Sequence, residues 1–135
     1  MGVGVTDPVL SIERLKKRPD FLACARASAC ARGAVLVQAR ARDDGPLVRA
    51  GFTATKRIGG SVQRNRAKRR LREAARLLLP QLARPGCDYV FIARSGVTTR
   101  PWPRLLDDVK SALIRLAAER DGRAPDPLTA PLPQN

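Results

Sequence analysis

The stretch SVQRNRAKRRLREAAR, residues 61–76, constrains the fold most, because it has two opposite sides when it is wound as a helix. Ala67, Leu71, Ala74 and Leu78 recur at helical spacing and form an apolar side. The other side, called the basic stripe below, consists of Asn65, Arg66, Lys68, Arg69, Arg72 and Arg76. Its one acidic neighbour, Glu73, is spaced to brace Arg69 or Arg76. The pattern predicts a helix that packs on another layer and exposes a cationic surface.

Strand patterns lie on both sides of this helix. LVRAGFTATK, residues 47–56, alternates apolar and polar positions, and Phe52 falls on the apolar side, where we predict a core residue. DYVFIAR, residues 88–94, is a continuous apolar run of the kind found in strands buried on both faces. The order strand, helix, strand predicts a β-α-β crossover around the basic helix.

Further elements complete an α+β prediction. RPDFLACARASACARG predicts a short helix with Asp20 as its N-cap and Gly33 as its end. AVLVQARARD predicts a strand that the turn signal DDGP joins to residues 47–56 as an antiparallel hairpin or meander. Pro80 and the following ARPG are expected to end the basic helix, and residues 100–120 predict a last amphipathic helix. We therefore expect a two-layer α/β sandwich with a roughly four-stranded mixed sheet.

The ends of the chain differ from its middle. Residues 1–13 and the tail 121–135, with four prolines, are expected to be disordered around one domain over residues 14–120. No apolar run is long enough to span a bilayer, and the first residues lack the pattern of a signal peptide. These features favour a cytoplasmic protein without a membrane partner.

The composition limits which partners the chain can bind and which catalytic or metal-binding sites it can form. The net charge is +14, and 26 Lys and Arg stand against 12 Asp and Glu, which favours a phosphate-bearing partner. The chain has no histidine, the commonest general base. Cys24, Cys30 and Cys87 form no CxxC pair, so we expect buried or half-buried thiols rather than a metal site or disulfides. We predict no catalytic residue and no metal ligand in the protein itself.

The basic stripe by itself is compatible with several kinds of binding partner. A merely solvated helix usually mixes both signs of charge, whereas this one has a single glutamate. A DNA-reading helix-turn-helix needs a second helix beside the first, but strand patterns flank this one. RNA in A-form is recognised through phosphates and shape, which a broad arginine surface can contact. The residues favour RNA among these three.

Three segments together resemble the protein subunit of bacterial ribonuclease P. They are RLKKRPDF at residues 14–21, GFTATKRIGGSVQRNRAKRRLREAAR at residues 51–76, and DYVFIAR at residues 88–94. The resemblance covers about residues 14–116, and its most specific part is the Arg-Asn-Arg signature, here Arg64, Asn65 and Arg66. It implies a left-handed β-α-β crossover, against the usual right-handed rule.

The resemblance also implies the activity. The chain would be the protein subunit of a ribonucleoprotein endonuclease that cuts the 5′ leader from precursor tRNA. The RNA subunit would perform the hydrolysis and hold most of the Mg²⁺. The implied partners are the catalytic RNA and precursor tRNA, with no obligatory protein partner. The alternatives are a ribosomal or ribosome-assembly protein of similar fold and, less favoured without a histidine, an independent nuclease.

Two binding surfaces are implied for this chain. Residues of the Arg-Asn-Arg helix would face the catalytic RNA, namely Arg64, Asn65, Arg66, Lys68, Arg69, Arg72 and Arg76. A cleft between the first helix and the sheet would receive the leader, with Phe21, Lys17, Lys56 and Arg57 at it. Stacking of a base on Phe21 competes with the interpretation that this ring only anchors the helix to the core. Many family members have further aromatic residues where this chain has Ala25 and Val37.

Overall fold

The computed structural model describes residues 11–43 and 45–120, in which five strands form one mixed sheet with three helices. The strands are β1 Ser11–Arg14, β2 Ser28–Arg32, β3 Val35–Ala41, β4 Leu47–Thr53 and β5 Cys87–Ala93. The helices are α1 Arg18–Ala25, α2 Ser61–Leu82 and α3 Trp102–Arg120, and a 3-10 turn, Lys56–Ile58, precedes α2. The predicted α+β class is confirmed, with five strands in place of about four.

The strands lie in the order β1-β4-β5-β3-β2. β1, β4 and β5 run parallel, whereas β3 is antiparallel to both β5 and β2. The predicted crossover is present, because α2 connects the neighbouring parallel strands β4 and β5. The central position of β5 agrees with its apolar sequence, since six of its seven residues are buried.

The antiparallel hairpin predicted between AVLVQARARD and residues 47–56 is wrong. β5 lies between β3 and β4, so these two strands do not pair. The tight hairpin joins β2 to β3 instead, through Gly33, whose φ of 51° suits a glycine. A strand that is apolar on both faces loses most water at the centre of a sheet, which explains why β5 takes that place.

The first helix is shorter than predicted. It begins at Arg18 and ends at Ala25, with Lys17 rather than Asp20 at the N-cap position. The following residues, predicted as helix, form the edge strand β2, in which Cys30 enters the core. Pairing with β3 and burial of this thiol outweigh the helical preference of the local alanines.

Two predicted boundaries also shift. α2 continues past Pro80 to Leu82, because an exposed proline near the end of a helix removes only one backbone hydrogen bond. Residues 11–13, expected to be disordered, belong to β1, which pairs with β4. The remaining parts of the two predicted tails, residues 1–10 and 121–135, lie outside the described residues.

The sheet is covered on both faces at its centre. α2 and α3 pack on one face around Leu71, Phe91 and Leu105, all fully buried. α1 lies on the other face over a smaller cluster of Leu15, Cys24 and Val90, against which Phe21 and Ile92 pack. The three cysteines are buried and free, as expected. Among the described helices, none has an apolar stretch that could cross a membrane.

Candidate nucleic-acid interface

The two sides of α2 are as the sequence predicts. Ala67, Leu71 and Ala74 are fully buried against the sheet. In the basic stripe Lys68 is half-buried, and the other members are exposed, namely Asn65, Arg66, Arg69, Arg72 and Arg76. Glu73 accepts a hydrogen bond from Nε of Arg76 at 3.0 Å, so the predicted brace forms with Arg76. This hydrogen bond lowers the pKa of Glu73 below its usual value and keeps it ionised.

A groove of about 670 Å³ runs between α2 and the N-terminal part of the chain. We call it the Phe21 groove. It is lined by Arg14, Leu15, Lys16, Phe21, Phe52, Asn65, Lys68, Arg69 and Arg72. Five of these nine residues are cationic and none is acidic. Part of the basic stripe and the ring of Phe21 line the same groove. From the sequence, the stripe and Phe21 were expected on two separate surfaces.

Phe21 lies at the boundary between the core and the groove. Its half-buried ring packs against the cluster of Leu15, Cys24 and Val90, and it also lines the groove. The ring lies directly over Gly51 of β4, where an added Cβ would be 2.6 Å from the ring atoms Cε1 and Cζ. Only glycine leaves room for the ring, and the sequence analysis did not identify this position. The sequence signal for this contact was a glycine inside a strand pattern, because such a glycine often marks a place where another group closely approaches the backbone.

Phe52 is partly a core residue and partly a groove residue. Its ring stacks on Phe91 with the centroids 5.3 Å apart and the planes inclined by 15°. Cζ of Arg72 lies 5.7 Å from the Phe52 centroid on the α2 side. The core placement predicted from the strand pattern is correct. The groove wall nevertheless includes this second ring, held beneath a cation of the basic stripe.

α1 is fixed to the sheet by a buried ion cluster. Asp88, whose side chain is fully buried, accepts hydrogen bonds from Nε and Nη2 of Arg49 at 2.8 and 2.7 Å. Arg42 donates to the same carboxylate, and Arg49 also pairs with Asp20 of α1 at 3.3 Å. Burial by itself would raise the pKa of Asp88, but the hydrogen bonds and charges of Arg49 and Arg42 hold it below the usual value. The cluster positions the helix that carries Phe21.

Besides Arg66 and Arg76 of the basic stripe, four predicted site residues lie outside the lining of the Phe21 groove. Lys17 is exposed just before α1, and Lys56 and Arg57 are exposed in the turn before α2. Arg64 is half-buried and donates from Nη1 to the carbonyl oxygen of Gly59 at 2.9 Å, which ties that turn to the helix. Two cationic lining residues, Arg14 and Lys16, were missed, because they precede α1 without any periodic pattern.

The geometry suits a flexible polyanion with aromatic bases. Guanidinium and ammonium groups contact phosphates, and a partly exposed ring offers a stacking surface. In the part of the chain that is described, no three His, Cys, Asp or Glu side chains cluster so as to hold a metal ion.

Comparison with known proteins identifies a family. The family model described as Ribonuclease P matches residues 11–117. A protein named "Ribonuclease P protein component" from Caulobacter vibrioides is 70% identical over 113 residues, which cover 83% of this chain and 76% of that protein. One of the same name from Ruegeria pomeroyi is 54% identical over 112 residues, covering 81% and 90% respectively. The RNase P protein from Thermotoga maritima, 24% identical over 76% of this chain and 96% of its own, has the same fold with a TM-score of 0.64.

Proposed function

This chain is a member of the ribonuclease P protein family, and on that premise we propose that it is the protein subunit of a bacterial ribonuclease P. In this role it joins a catalytic RNA and promotes endonucleolytic removal of the 5′ leader from precursor tRNA. The observation that most strongly supports this function is the Phe21 groove, where five cations and two aromatic rings meet without an acidic residue. The named relatives give no support to the alternative of a ribosomal protein.

The two binding surfaces are proposed as follows. The leader lies in the Phe21 groove, where a base stacks on Phe21 and phosphates meet Arg14 and Lys16. Lys17, Lys56 and Arg57 extend this cationic path beside α1 and at the start of α2. The outer side of α2 contacts the catalytic RNA through the basic stripe together with Arg64. Support comes from the exposure of the stripe and from the rigid seat of the Phe21 ring on Gly51.

The contribution of the protein is electrostatic under this proposal. Two RNA molecules repel each other, and a cationic surface between them releases condensed counterions as it neutralises phosphates. The catalytic RNA supplies the hydrolytic chemistry and binds the Mg²⁺ that it needs. Since the chain has no histidine, a protein-based general acid or base would have to be another residue type.

Reconstitution tests the proposal. The protein is combined with a bacterial ribonuclease P RNA and precursor tRNA at a Mg²⁺ concentration at which the RNA cleaves poorly alone. We expect cleavage at the 5′ end of the mature tRNA only when both subunits are present. Cleavage by the purified protein alone, or no stimulation of the RNA, would contradict the proposal.

The Phe21→Ala variant tests the leader assignment. Loss of one stacked base costs about 1–3 kcal/mol, so affinity for precursor tRNA with a leader should fall about tenfold. Affinity for mature tRNA, measured in the same holoenzyme, should change little. Phe21→Leu is the matched control, because it keeps apolar packing on Leu15 and Cys24 but removes the ring. A normal affinity of Phe21→Leu for the leader would mean that Phe21 only anchors α1.

A further inference from the structure

A second groove lies on the other flank of α2, away from Phe21. It is an open surface groove of about 410 Å³, lined by Arg66, Arg69, Arg70, Glu73 and Trp102. We call it the Trp102 groove. Arg69 lines both grooves, so the basic stripe forms a ridge between them. Trp102 lies in the segment predicted as the last helix, where its sequence context indicated no function.

Trp102 is held in a fixed position. Arg70 donates from Nη1 to the carbonyl oxygen of Val97 at 2.6 Å and from Nη2 to that of Arg100 at 2.7 Å. Its Cζ lies 5.7 Å from the Trp102 ring centre, so one guanidinium joins α2, the preceding loop and the ring. Trp102 is also the first residue of α3, between two prolines that restrict the backbone. Little conformational entropy remains for the ring to lose on binding.

The charge of the Trp102 groove favours an anion. Its single acidic residue, Glu73, is already paired with Arg76. Arg66 and Arg69 are exposed, and within residues 11–43 and 45–120 neither makes a hydrogen bond or an ion pair. The ring of Trp102 is only half-buried although it packs against the core. An aromatic ring beside two free guanidinium groups matches a nucleotide, which has both a flat base and a phosphate.

We propose that Trp102 stacks on an unpaired nucleotide of the catalytic RNA while Arg66 and Arg69 hold its phosphates. This inference rests on the function proposed above and adds a binding site to it. The occupant is the catalytic RNA rather than the leader, because the Phe21 groove lies on the opposite flank of α2. The basic stripe then carries RNA on both of its sides, with Arg69 at the ridge.

Fluorescence tests the stacking directly, because Trp102 is the only tryptophan of the chain. The full-length protein is titrated with a bacterial ribonuclease P RNA and, separately, with inorganic polyphosphate of matched charge. Base stacking quenches indole emission, so the RNA should quench it in proportion to the bound fraction. Polyphosphate has no bases and should bind without comparable quenching. Equal quenching by both, or RNA binding without quenching, would overturn the inference.

Two substitutions measure the contribution of the ring. Trp102→Leu keeps an apolar side chain but removes stacking, so affinity for the catalytic RNA should fall about tenfold. Trp102→Phe keeps an aromatic ring and should lose less than about threefold. Equal affinity of the leucine variant and the wild type would refute the site even if precursor tRNA is still cleaved. Failure of the wild type to stimulate cleavage would instead refute the proposed function, so the two failures are distinguishable.

Discussion

At the scale of single residues, the Phe21 groove depends on a glycine, Gly51, which has no side chain to displace the Phe21 ring. Gly51 lies in β4, where its neighbours alternate between the two faces, and its own face lies beneath the ring of Phe21. A methyl group there would come within 2.6 Å of ring atoms, closer than any stable carbon contact. Gly51 therefore determines the height at which the ring stands above the sheet.

Gly51→Ala should displace Phe21 without removing it. We expect affinity for leader-bearing precursor tRNA to fall severalfold, up to about tenfold, because the displaced ring no longer stacks well. Binding of the catalytic RNA should remain near the wild-type level, and both affinities can be measured by fluorescence anisotropy. Gly60→Ala is the control, since an added Cβ there meets open space. Unchanged leader affinity in the Gly51 variant would show that the position of the ring is not important.

At the scale of elements, α2 is built for binding at some expense of its own stability. Its first turn has no acidic residue and no side-chain cap, although a helix N-terminus favours negative charge. Arg64 and Arg66 add positive charge near this end. Burial of the apolar side, including Leu71 and Leu79, holds the helix in place. A bound polyanion would remove the electrostatic conflict.

The double variant Arg66→Ala with Arg69→Ala tests this element. Each phosphate contact contributes about 0.7–0.9 to the slope of log affinity against log salt, so the slope should decrease by somewhat less than two. The measurement is the affinity for the catalytic RNA across a salt series. Arg26→Ala with Lys110→Ala removes the same charge from exposed positions outside α2 and should leave the slope nearly unchanged. Equal slopes for the two double variants would mean that only net charge matters.

At the scale of the whole molecule, the Asp88 cluster connects parts that are distant in the chain. It joins β5, β4, the end of β3 and α1 through one carboxylate and its arginines. Breaking a buried ion pair leaves an uncompensated charge and costs more than the pair contributes by itself. The cluster therefore maintains the relative position of the sheet and the helix that carries Phe21.

Asp88→Asn should lower the free energy of unfolding by about 3 kcal/mol at pH 7, measured by chemical denaturation. Because the folded pKa of Asp88 lies below its unfolded value of about 3.9, the carboxylate stabilises the fold above that pH. This contribution is lost as the pH falls through the folded pKa, so wild type and variant should converge in acid. The exposed Asp107→Asn variant should change stability by less than about 0.5 kcal/mol. If the difference in unfolding free energy between the wild type and Asp88→Asn stayed constant from pH 7 to pH 3, this assignment would be contradicted.

The local elements were predictable because their signals are local. The apolar side of α2, the apolar run of β5 and the basic stripe follow from side-chain spacing, which each element expresses by itself. Two of the errors concern the extent of a helix, whereas the predicted pairing of β3 with β4 is an error of strand order. The alanine-rich stretch after α1 became β2, and α2 continued past Pro80. In both places a tertiary contact or a position near a helix end outweighed the residue preference.

The sequence by itself determined the family signature, the two sides of α2, the burial of β5 and the large positive charge. Only the tertiary structure decided the strand order, the seat of Phe21 on Gly51, the Asp88 cluster and the placement of Trp102 beside the basic stripe. Periodicity reports which face of an element is buried, but it does not report which distant element covers that face. Those choices depend on packing between residues that are 30 or more positions apart, such as Phe21 with Gly51, Arg49 with Asp88, and Arg70 with Trp102.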